Sequence, residues 1–401
     1  MADHFSAAVD FSSWFWNGVF FAWCGYILLS HIPAAVRARL SLHRRRFSLK
    51  SDDLCPSVTI VKPLLGDDGN LNDNLEGYFK LDYPSNKFEI LFCVMDPDDP
   101  AKAIVDSLIA KYPSVDARLL TGGKHIGINP KINNMHVAVS GARHDFIWLS
   151  DSNIMVRPEN LKELVACLDP TVGLVHQLPY ALPADSFAAL VDKIYFGTQH
   201  ARVYLVADML KRNCANGMSW LLRKSALEEV VGGLAAFSEY LAEDFFIGKT
   251  LWERGWKLSL CSLPALQNPS ATVTSLSRFR NRMIRWTRLR ASMMPFPGLL
   301  EPLTECIFLG IFASIAASRI FNCCVLTFFV LQSIVWFLLD YHLMSCVENG
   351  PLPSMWKVIC AWLVRELWTI PIFVESLCSQ RITWGGHLFQ LEFGGHSVKL
   401  E

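Results

Sequence analysis

From Phe11 to Val36 the chain reads FSSWFWNGVFFAWCGYILLSHIPAAV, without one Asp, Glu, Lys or Arg. A spanning helix needs about 20 mostly apolar residues, so this run qualifies, and its length exceeds what the core of a small soluble domain asks of one helix. Trp14 and Trp16 suit the interfacial belt of a membrane. The first ten residues carry Asp3 and Asp10 and no Lys or Arg, whereas a cleavable signal peptide begins with a basic region. The segment 11–36 therefore reads as a retained anchor. Directly after it comes RARLSLHRRRFSLK, with basic side chains at positions 37, 39, 44, 45, 46 and 50 and no acid. The positive-inside rule makes that end cytosolic. Residues 1–10 are then lumenal, residues 37–54 form a basic cytosolic linker, and the middle of the chain begins in the cytosol.

Composition agrees. Hydrophobic residues make up 52% and charged residues 18%, with zero formal net charge and a mean hydropathy of +0.27. Soluble domains carry about 25% charge, so a membrane protein with a soluble part is expected. Three apolar stretches follow Pro297, near Pro302–Ile320, Phe321–Leu339 and Met355–Leu377. Each reads as a span or an interfacial helix, and the first two are close enough to form a hairpin or re-entrant pair. The third contains Arg365 and Glu366, and ionisable groups at membrane depth are costly and often functional. Residues 291–380 are read as this membrane region and 381–401 as a tail. The 12 cysteines include no C-x-x-C pair, which argues against a zinc site or a disulfide framework and suits a reducing compartment. No nucleic-acid partner is expected.

Between about Cys55 and Ser270 the pattern changes. Short β-rich runs, SVTIV, FEILFCVM, DFIWLSD and VGLVHQL, alternate with helical stretches such as ENLKELVACL. That alternation predicts an α/β domain with a largely parallel sheet.

Ligands of such sheets bind beyond the carboxyl ends of the strands. Two acidic loops sit there. VMDPDDP carries Asp96, Asp98 and Asp99, and WLSDSN carries Asp151. A third acidic feature, AEDFF, places Glu243 and Asp244 in a helical context, while Asp67 and Asp68 in LLGDDGN read as an ordinary turn. Carboxylates after strands suit a divalent cation on oxygen ligands, and a cation in turn implies a phosphate-bearing partner. No G-x-x-x-x-G-K-[ST] loop and no G-x-G-x-x-G fingerprint occurs, which removes the P-loop and dinucleotide readings. TGGKHIGINPKINN, with Lys124 and Lys131, is either a diphosphate contact or a basic surface loop.

VMDPDDP, SDSN, AEDF and RMIRW, in this order, resemble the spaced D, D, D, (Q/R)-x-x-R-W pattern of inverting glycosyltransferases of the GT-A fold. VKPLLGDDGNLNDNLEGYFKLDYP, GINPKINN, GLVHQLPY, YFGTQHARVY and RNRMIRWTRLR narrow the resemblance to the ceramide glucosyltransferase family. It extends from the first anchor nearly to the C-terminus. It implies a GT-A nucleotide-sugar domain over 55–290, facing the cytosol from a multi-pass Golgi membrane protein. It implies UDP-glucose as donor, ceramide as acceptor among the membrane lipids, and Mg2+ or Mn2+ as cofactor. By the same resemblance Asp99, with Asp96, contacts the uridine end. Asp151 binds metal and diphosphate, and Asp244 is the base. Arg282, Arg285 and Trp286 hold the diphosphate and the acceptor entrance, and His200 touches substrate; Lys131 stays a candidate substrate contact on the reading of its own loop. The chain departs from the family's second D-x-D, having Asp151-Ser152-Asn153. An amide oxygen still ligates a hard cation, with less charge.

RFRNRMIRW, residues 278–286, packs four arginines into nine positions ahead of the apolar region. At helical spacing Arg278, Arg282 and Arg285 share a face, able to join a diphosphate to a lipid surface. Arg288 and Arg290 are accounted for as interface anchors. Glu243 reads as support for the helix or the base. Two other readings share parts of this pattern: a transferase with a polyprenyl-phosphate or polysaccharide acceptor, and a nucleotide-sugar-binding membrane protein without chemistry.

Overall fold

The structure is a computed structural model that describes residues 2–44, 55–182, 186–212, 214–269 and 274–400, with side chains from Trp14 onward. Of the basic linker, residues 45–54 lie outside the described residues.

A seven-stranded sheet forms the middle of the chain. Its strands are β1 (Val58–Leu64), β2 (Phe88–Val94), β3 (Ala117–Thr121), β4 (Phe146–Ser150), β5 (Val172–His176), β6 (Ser219–Arg223) and β7 (Lys257–Leu260). They run in the spatial order β3-β2-β1-β4-β6-β5-β7. The β1–β2, β2–β3, β1–β4 and β5–β7 pairs are parallel, while β6 runs antiparallel to both of its neighbours. An α/β domain forms as expected from the sequence, but the sheet is mixed where a largely parallel one was expected, because β6 is reversed. FEILFCV of β2 is buried at every position, as a parallel strand covered on both faces must be. One cluster, including Leu75, Tyr78, Phe92 and Trp148, fills one face of the sheet. Another, including Ile132, Trp220, Ile247 and Leu251, fills the other. The chain leaves β1 toward β2 and β3 and returns to the far side of β1 at β4. The crevice at the carboxyl ends of β1 and β4 is the topological switch point, where such sheets bind ligands.

The helical part packs against this domain as one body. The N-terminal helix spans Ala2–Ser41, and the C-terminal helices are Cys306–Phe321, Val325–Glu348 and Met355–Leu377. One apolar cluster joins Cys24, Ile27, Val191, Phe196, Leu205, Trp336 and Trp362, so membrane-type and domain helices share a core. Two helices, Trp14–Ser41 and Val325–Glu348, are long and apolar enough to cross a membrane. The helix bounds differ from the hydropathy segments. A 3-10 turn over Glu301–Thr304 delays the first helix to Cys306 and leaves it 16 residues long. Asn322 then stops it in the left-handed region at φ 54°, so the second starts at Val325 and runs to Glu348, not from Phe321 to Leu339. The two form a tight helical hairpin. Arg365 and Glu366 of the third are buried against Glu305 and Asp340.

Residues 381–400, read from sequence as a tail, fold into a three-stranded antiparallel sheet of Arg381–Trp384, His387–Leu391 and Ser397–Lys399. Ile382, Phe389 and Leu391 bury against Leu241, next to the helix that starts at Glu243.

Candidate functional site

Asp151 follows β4 directly, and its backbone N–H donates to Met218 O at 2.9 Å, just before β6. Behind it lies Lys62 of β1, fully buried, whose ammonium donates to Tyr78 Oη (3.1 Å), Ser150 Oγ (3.4 Å) and the Asp151 carbonyl. Burial pushes the Lys62 ammonium down to about 7, while Asp151 pulls it up. In front of Asp151 is Lys131. Its Nζ lies 2.9 Å from Asp151 Oδ1 and 3.2 Å from Glu243 Oε1, and donates to Gly217 O at 3.1 Å. Those carboxylates outweigh burial and hold the ammonium well above its ordinary range. The two lysines of the glycine loop thus separate: Lys131 belongs to the site, while Lys124 is exposed.

Lys131 is set in place by Asn129, which caps the helix Pro130–Ser140. The Asn129 side-chain oxygen accepts from the N–H groups of Lys131 (2.9 Å) and Ile132 (3.1 Å). Its amide nitrogen donates to Glu243 Oε2 (3.0 Å) and Tyr240 O (2.7 Å). Glu243 is buried and holds this cap and Lys131. Asp244 sits beside it in the first turn of the helix Glu243–Glu253 and is partly exposed. It accepts from Gly217 N–H (2.8 Å) and Phe245 N–H (2.8 Å). Burial and then Glu243 raise its carboxyl to about 6, against Lys131 and the two backbone donors. Position 217 must be glycine, because a Cβ there would lie 2.8 Å from Asp244 Cβ and Oδ2.

The arginine cluster forms one helix, Leu276–Met293, capped by Ser275. Its members divide by partner. Arg282 pairs with Asp192 and stacks over Phe196 and Trp286, with its guanidinium carbon 5.3 and 5.4 Å from the ring centres. Arg280 pairs with Glu375, Arg288 donates to the carbonyls of Glu375, Ser376 and Arg381, and Arg290 pairs with Glu301. Arg288 and Arg290 are tied to protein, so the interface-anchor reading does not describe them. Arg285 alone of these has no hydrogen bond or ion pair among the described residues. Burial and the neighbouring Arg282 and Arg278 push it down to about 10, while Asp151 pulls it up. An unpaired guanidinium that already senses Asp151 is suited to an anion between them.

His200 ends a π-helical stretch, Phe196–His200, of a kind that often marks functional sites. It stacks on Tyr204 with centroids 4.3 Å apart, and Trp286 lies 6.4 Å away. Burial drives its imidazole down to about 3, with Arg290, Arg282 and His176 adding to the effect, so it is neutral at physiological pH. Its buried Nδ1 has no partner.

A family model described as glycosyl transferase family 21 matches residues 26–397. The chain belongs to glycosyl transferase family 21. Ceramide glucosyltransferase 3 of Caenorhabditis elegans is 38% identical over 381 residues, covering 94% of this chain and 81% of that protein. The ceramide glucosyltransferase of Komagataella phaffii is 29% identical, covering 83% of this chain and 82% of its own. Among solved structures, a mannosyltransferase of Pyrobaculum calidifontis in complex with GDP-Man and Mn2+ is 14% identical at a TM-score of 0.49, covering 90% of this chain and 98% of its own.

For this family 21 chain, a divalent cation can be tested against the donor set. Among the described residues no group of three or more His, Cys, Asp or Glu side chains is placed to hold a metal. Asp151 offers one carboxylate, one-third exposed, and Asn153 is partly exposed two residues on. Mg2+ is commonly bound by one or two carboxylates with substrate phosphates and water filling the rest. The residues fit a cation that arrives with a diphosphate, not one caged by protein.

Asp96 and Asp99, expected from sequence at the uridine end, make no contact with this group among the described residues. Asp96 is exposed. Asp99 is buried and accepts from Gly66 N–H (3.0 Å to each oxygen) and Ala101 N–H (2.9 Å), pinning the loop after β1 to the loop after β2. Asp67 and Asp68 form the expected local turns, accepting from Gly69 and Asn70 N–H. Four features escaped the sequence reading: Asn129, Gly217, Asp192 and the C-terminal sheet. The Asn129-Pro130 step is a legible helix start. The other three act through contacts distant in sequence and leave no local mark.

Proposed function

We propose that this family 21 chain transfers glucose from UDP-glucose to the primary hydroxyl of ceramide, with inversion, releasing UDP. The observation that carries the reading is Asp244, a partly exposed carboxylate at the switch-point crevice whose carboxyl is raised to about 6. Such a group is ionised at neutral pH and basic enough to take a proton, which suits it to activate an alcohol. The family and the names of its relatives supply the acceptor class.

In this mechanism the ceramide hydroxyl oxygen attacks the anomeric carbon of glucose while Asp244 takes its proton. The bond to the diphosphate breaks on the opposite face, giving a β-glucoside from an α-linked donor. Negative charge develops on the departing UDP, where Arg285 and Lys131 stabilise it as it forms. A Mg2+ or Mn2+ ion held through Asp151, with Asn153 beside it, supplies further charge to the diphosphate when bound. Gly217 and Phe245 N–H hold the Asp244 carboxylate in position. Lys62 fixes the Asp151 backbone from behind. Asp96 and Asp99 border the uridine end, and Arg282, Trp286 and His200 line the way to the acceptor. We place residues 55–290 on the cytosolic face of a Golgi membrane, anchored by 11–36 and by the helices within 291–380. The basic residues 37–50 and the two long apolar helices support this orientation.

The test is incubation of purified protein with labelled UDP-sugars and a panel of ceramide, polyprenyl phosphate and other lipids, followed by product analysis. β-Glucosylceramide from UDP-glucose is the expected product. Transfer to polyprenyl phosphate alone, or no transfer beside intact UDP binding, would overturn the reading.

A further inference from the structure

A narrow cleft lies between the arginine helix and the helix Met355–Leu377. Phe279 and Met283 form one apolar wall, and Ile372 and Phe373 form the other. Its deep end is polar. Arg365 and Glu305, 4% and 2% exposed at their side chains, pair at 2.9 Å, and Gln199 of the π-helical stretch accepts from Arg365 at 3.4 Å. Two donors remain unmet there. Arg365 Nε is buried without a partner among the described residues. The Gln199 amide nitrogen has none among the described residues.

We propose that this cleft binds the amide and 3-hydroxyl end of the acceptor lipid; the assignment rests on the ceramide transfer proposed above. A buried donor without a partner is costly, and a ligand carbonyl or hydroxyl between Arg365 Nε and the half-buried Gln199 amide removes the cost. The lining charges indicate a neutral ligand. The two cations, Arg290 and Arg365, are matched by two anions, Glu301 and Glu305, each already paired. A phosphate would have to break one of these pairs and leave a buried carboxylate alone, whereas an amide and a hydroxyl need only the free donors. The apolar walls suit the first methylenes of two chains. Tyr195 lines the cleft and also touches Trp286 and His200, with ring centres 6.1 and 5.7 Å away. The cleft therefore adjoins the cluster that carries Arg282, whose neighbour Arg285 senses Asp151. A lipid seated here has its amide held at the deep end and its terminal hydroxyl free to extend past Tyr195.

Thr369, on the wall formed by Met355–Leu377, touches none of the diphosphate residues and can be enlarged. In the purified full chain, Thr369→Trp should raise KM for short-chain ceramide by roughly tenfold, and leave KM for UDP-glucose and the Kd for UDP within about twofold of the parent. An unchanged ceramide KM would overturn the assignment. A parent protein that makes no glucosylceramide would instead sink the transfer reading, so the two failures are separable. If the variant loses UDP binding through misfolding, the unaltered protein decides. A ceramide with a diazirine beside its amide should then label residues 276–293 or 355–377. Labelling confined elsewhere, or competition by polyprenyl phosphate as strong as by unlabelled ceramide, would refute the cleft.

Discussion

Asp244→Asn isolates proton transfer from binding. The replacement keeps shape and removes the base. General-base catalysis contributes typically ~10²–10⁴-fold, so turnover should fall by about that factor, or ~3–5 kcal/mol of barrier. Stability should change little, because two effects oppose. The Asp244 carboxyl is raised from its ordinary 3.8 to about 6, so its charge is disfavoured in the folded state and a neutral amide relieves it. Asparagine, however, has one oxygen for the two N–H donors of Gly217 and Phe245, and an unmet donor costs about 1–3 kcal/mol. The relief is discounted because the side chain is partly exposed, so the terms nearly cancel. The sign for pH follows from the raised value. Between 3.8 and about 6 the folded state holds the proton more tightly than the unfolded chain, so this group's contribution to stability falls as pH rises through that window. Activity runs the opposite way, since only the ionised form accepts a proton. At pH 5 the parent should turn over about tenfold more slowly than on its plateau above 7, and the Asn variant should lose this limb. The assay is kcat from pH 4.5 to 8, with UDP affinity by calorimetry at each pH. Normal turnover in Asp244→Asn, or an acid limb that survives it, would show that the base is elsewhere.

Gly217→Ala places a methyl group 2.8 Å from the Asp244 side chain and should lower kcat at least tenfold with UDP affinity nearly unchanged, read by the same pair of measurements. Arg285→Ala should weaken UDP as well as slow transfer, and Arg285→Lys should rescue only in part because a point charge lacks the planar fork; equal UDP Kd in all three proteins would remove it from the clamp. Chelation should suppress turnover and Mg2+ or Mn2+ restore it, since Asp151 supplies one carboxylate; full activity in excess chelator would leave the leaving-group charge to Arg285 and Lys131 alone. Protease added to sealed microsomes should digest residues 55–290, and their full protection would reverse the proposed orientation.

The main strands were legible because two-sided burial leaves a mark inside each run. FEILFCV in β2 and FIWLS in β4 are almost uniformly apolar and end at acidic loops. The antiparallel β6 was not legible, since SWLLR reads like any buried strand and its direction depends on the return path of the chain. Helix ends in the apolar region depended on one backbone angle at Asn322, which hydropathy does not register. Asp151, Asp244 and Lys131 are brought together in one group. The arginines are on one helix as their spacing required, but their division of labour is set by Asp192, Glu375 and Glu301, each far away in sequence. Among the described residues Arg285 has no hydrogen bond or ion pair, and nothing within RFRNRMIRW distinguishes it from its neighbours.

The same long-range logic explains the Arg365-Glu366 pair inside an apolar segment. Arg365 reaches Glu305, Asp340 (3.9 Å) and Gln199, while Asp340 accepts from Trp362 Nε1 at 2.9 Å. His31 of the N-terminal helix lies 3.1 Å from Asp340 and 2.9 Å from a guanidinium nitrogen of Arg202, which also donates to Thr304 O at 2.8 Å. The ionisable members, His31, Arg202, Glu305, Asp340, Arg365 and Glu366, are at most 4% exposed, and breaking one member of such a network costs about 3–5 kcal/mol because its partner is left alone in an apolar medium. Arg202 and Gln199 belong to the segment that carries His200, and Gly197 lets the helix Val325–Glu348 approach so closely that a Cβ there would meet Met344 Cγ at 2.7 Å. The apolar helices are therefore fixed to the π-helical stretch by charge and by close packing at once. Helices that only anchored the chain could join it through a loose linker. Here they set the positions of His200, Gln199 and Tyr195, so the apolar helices and the groups proposed to receive the acceptor form one packed unit.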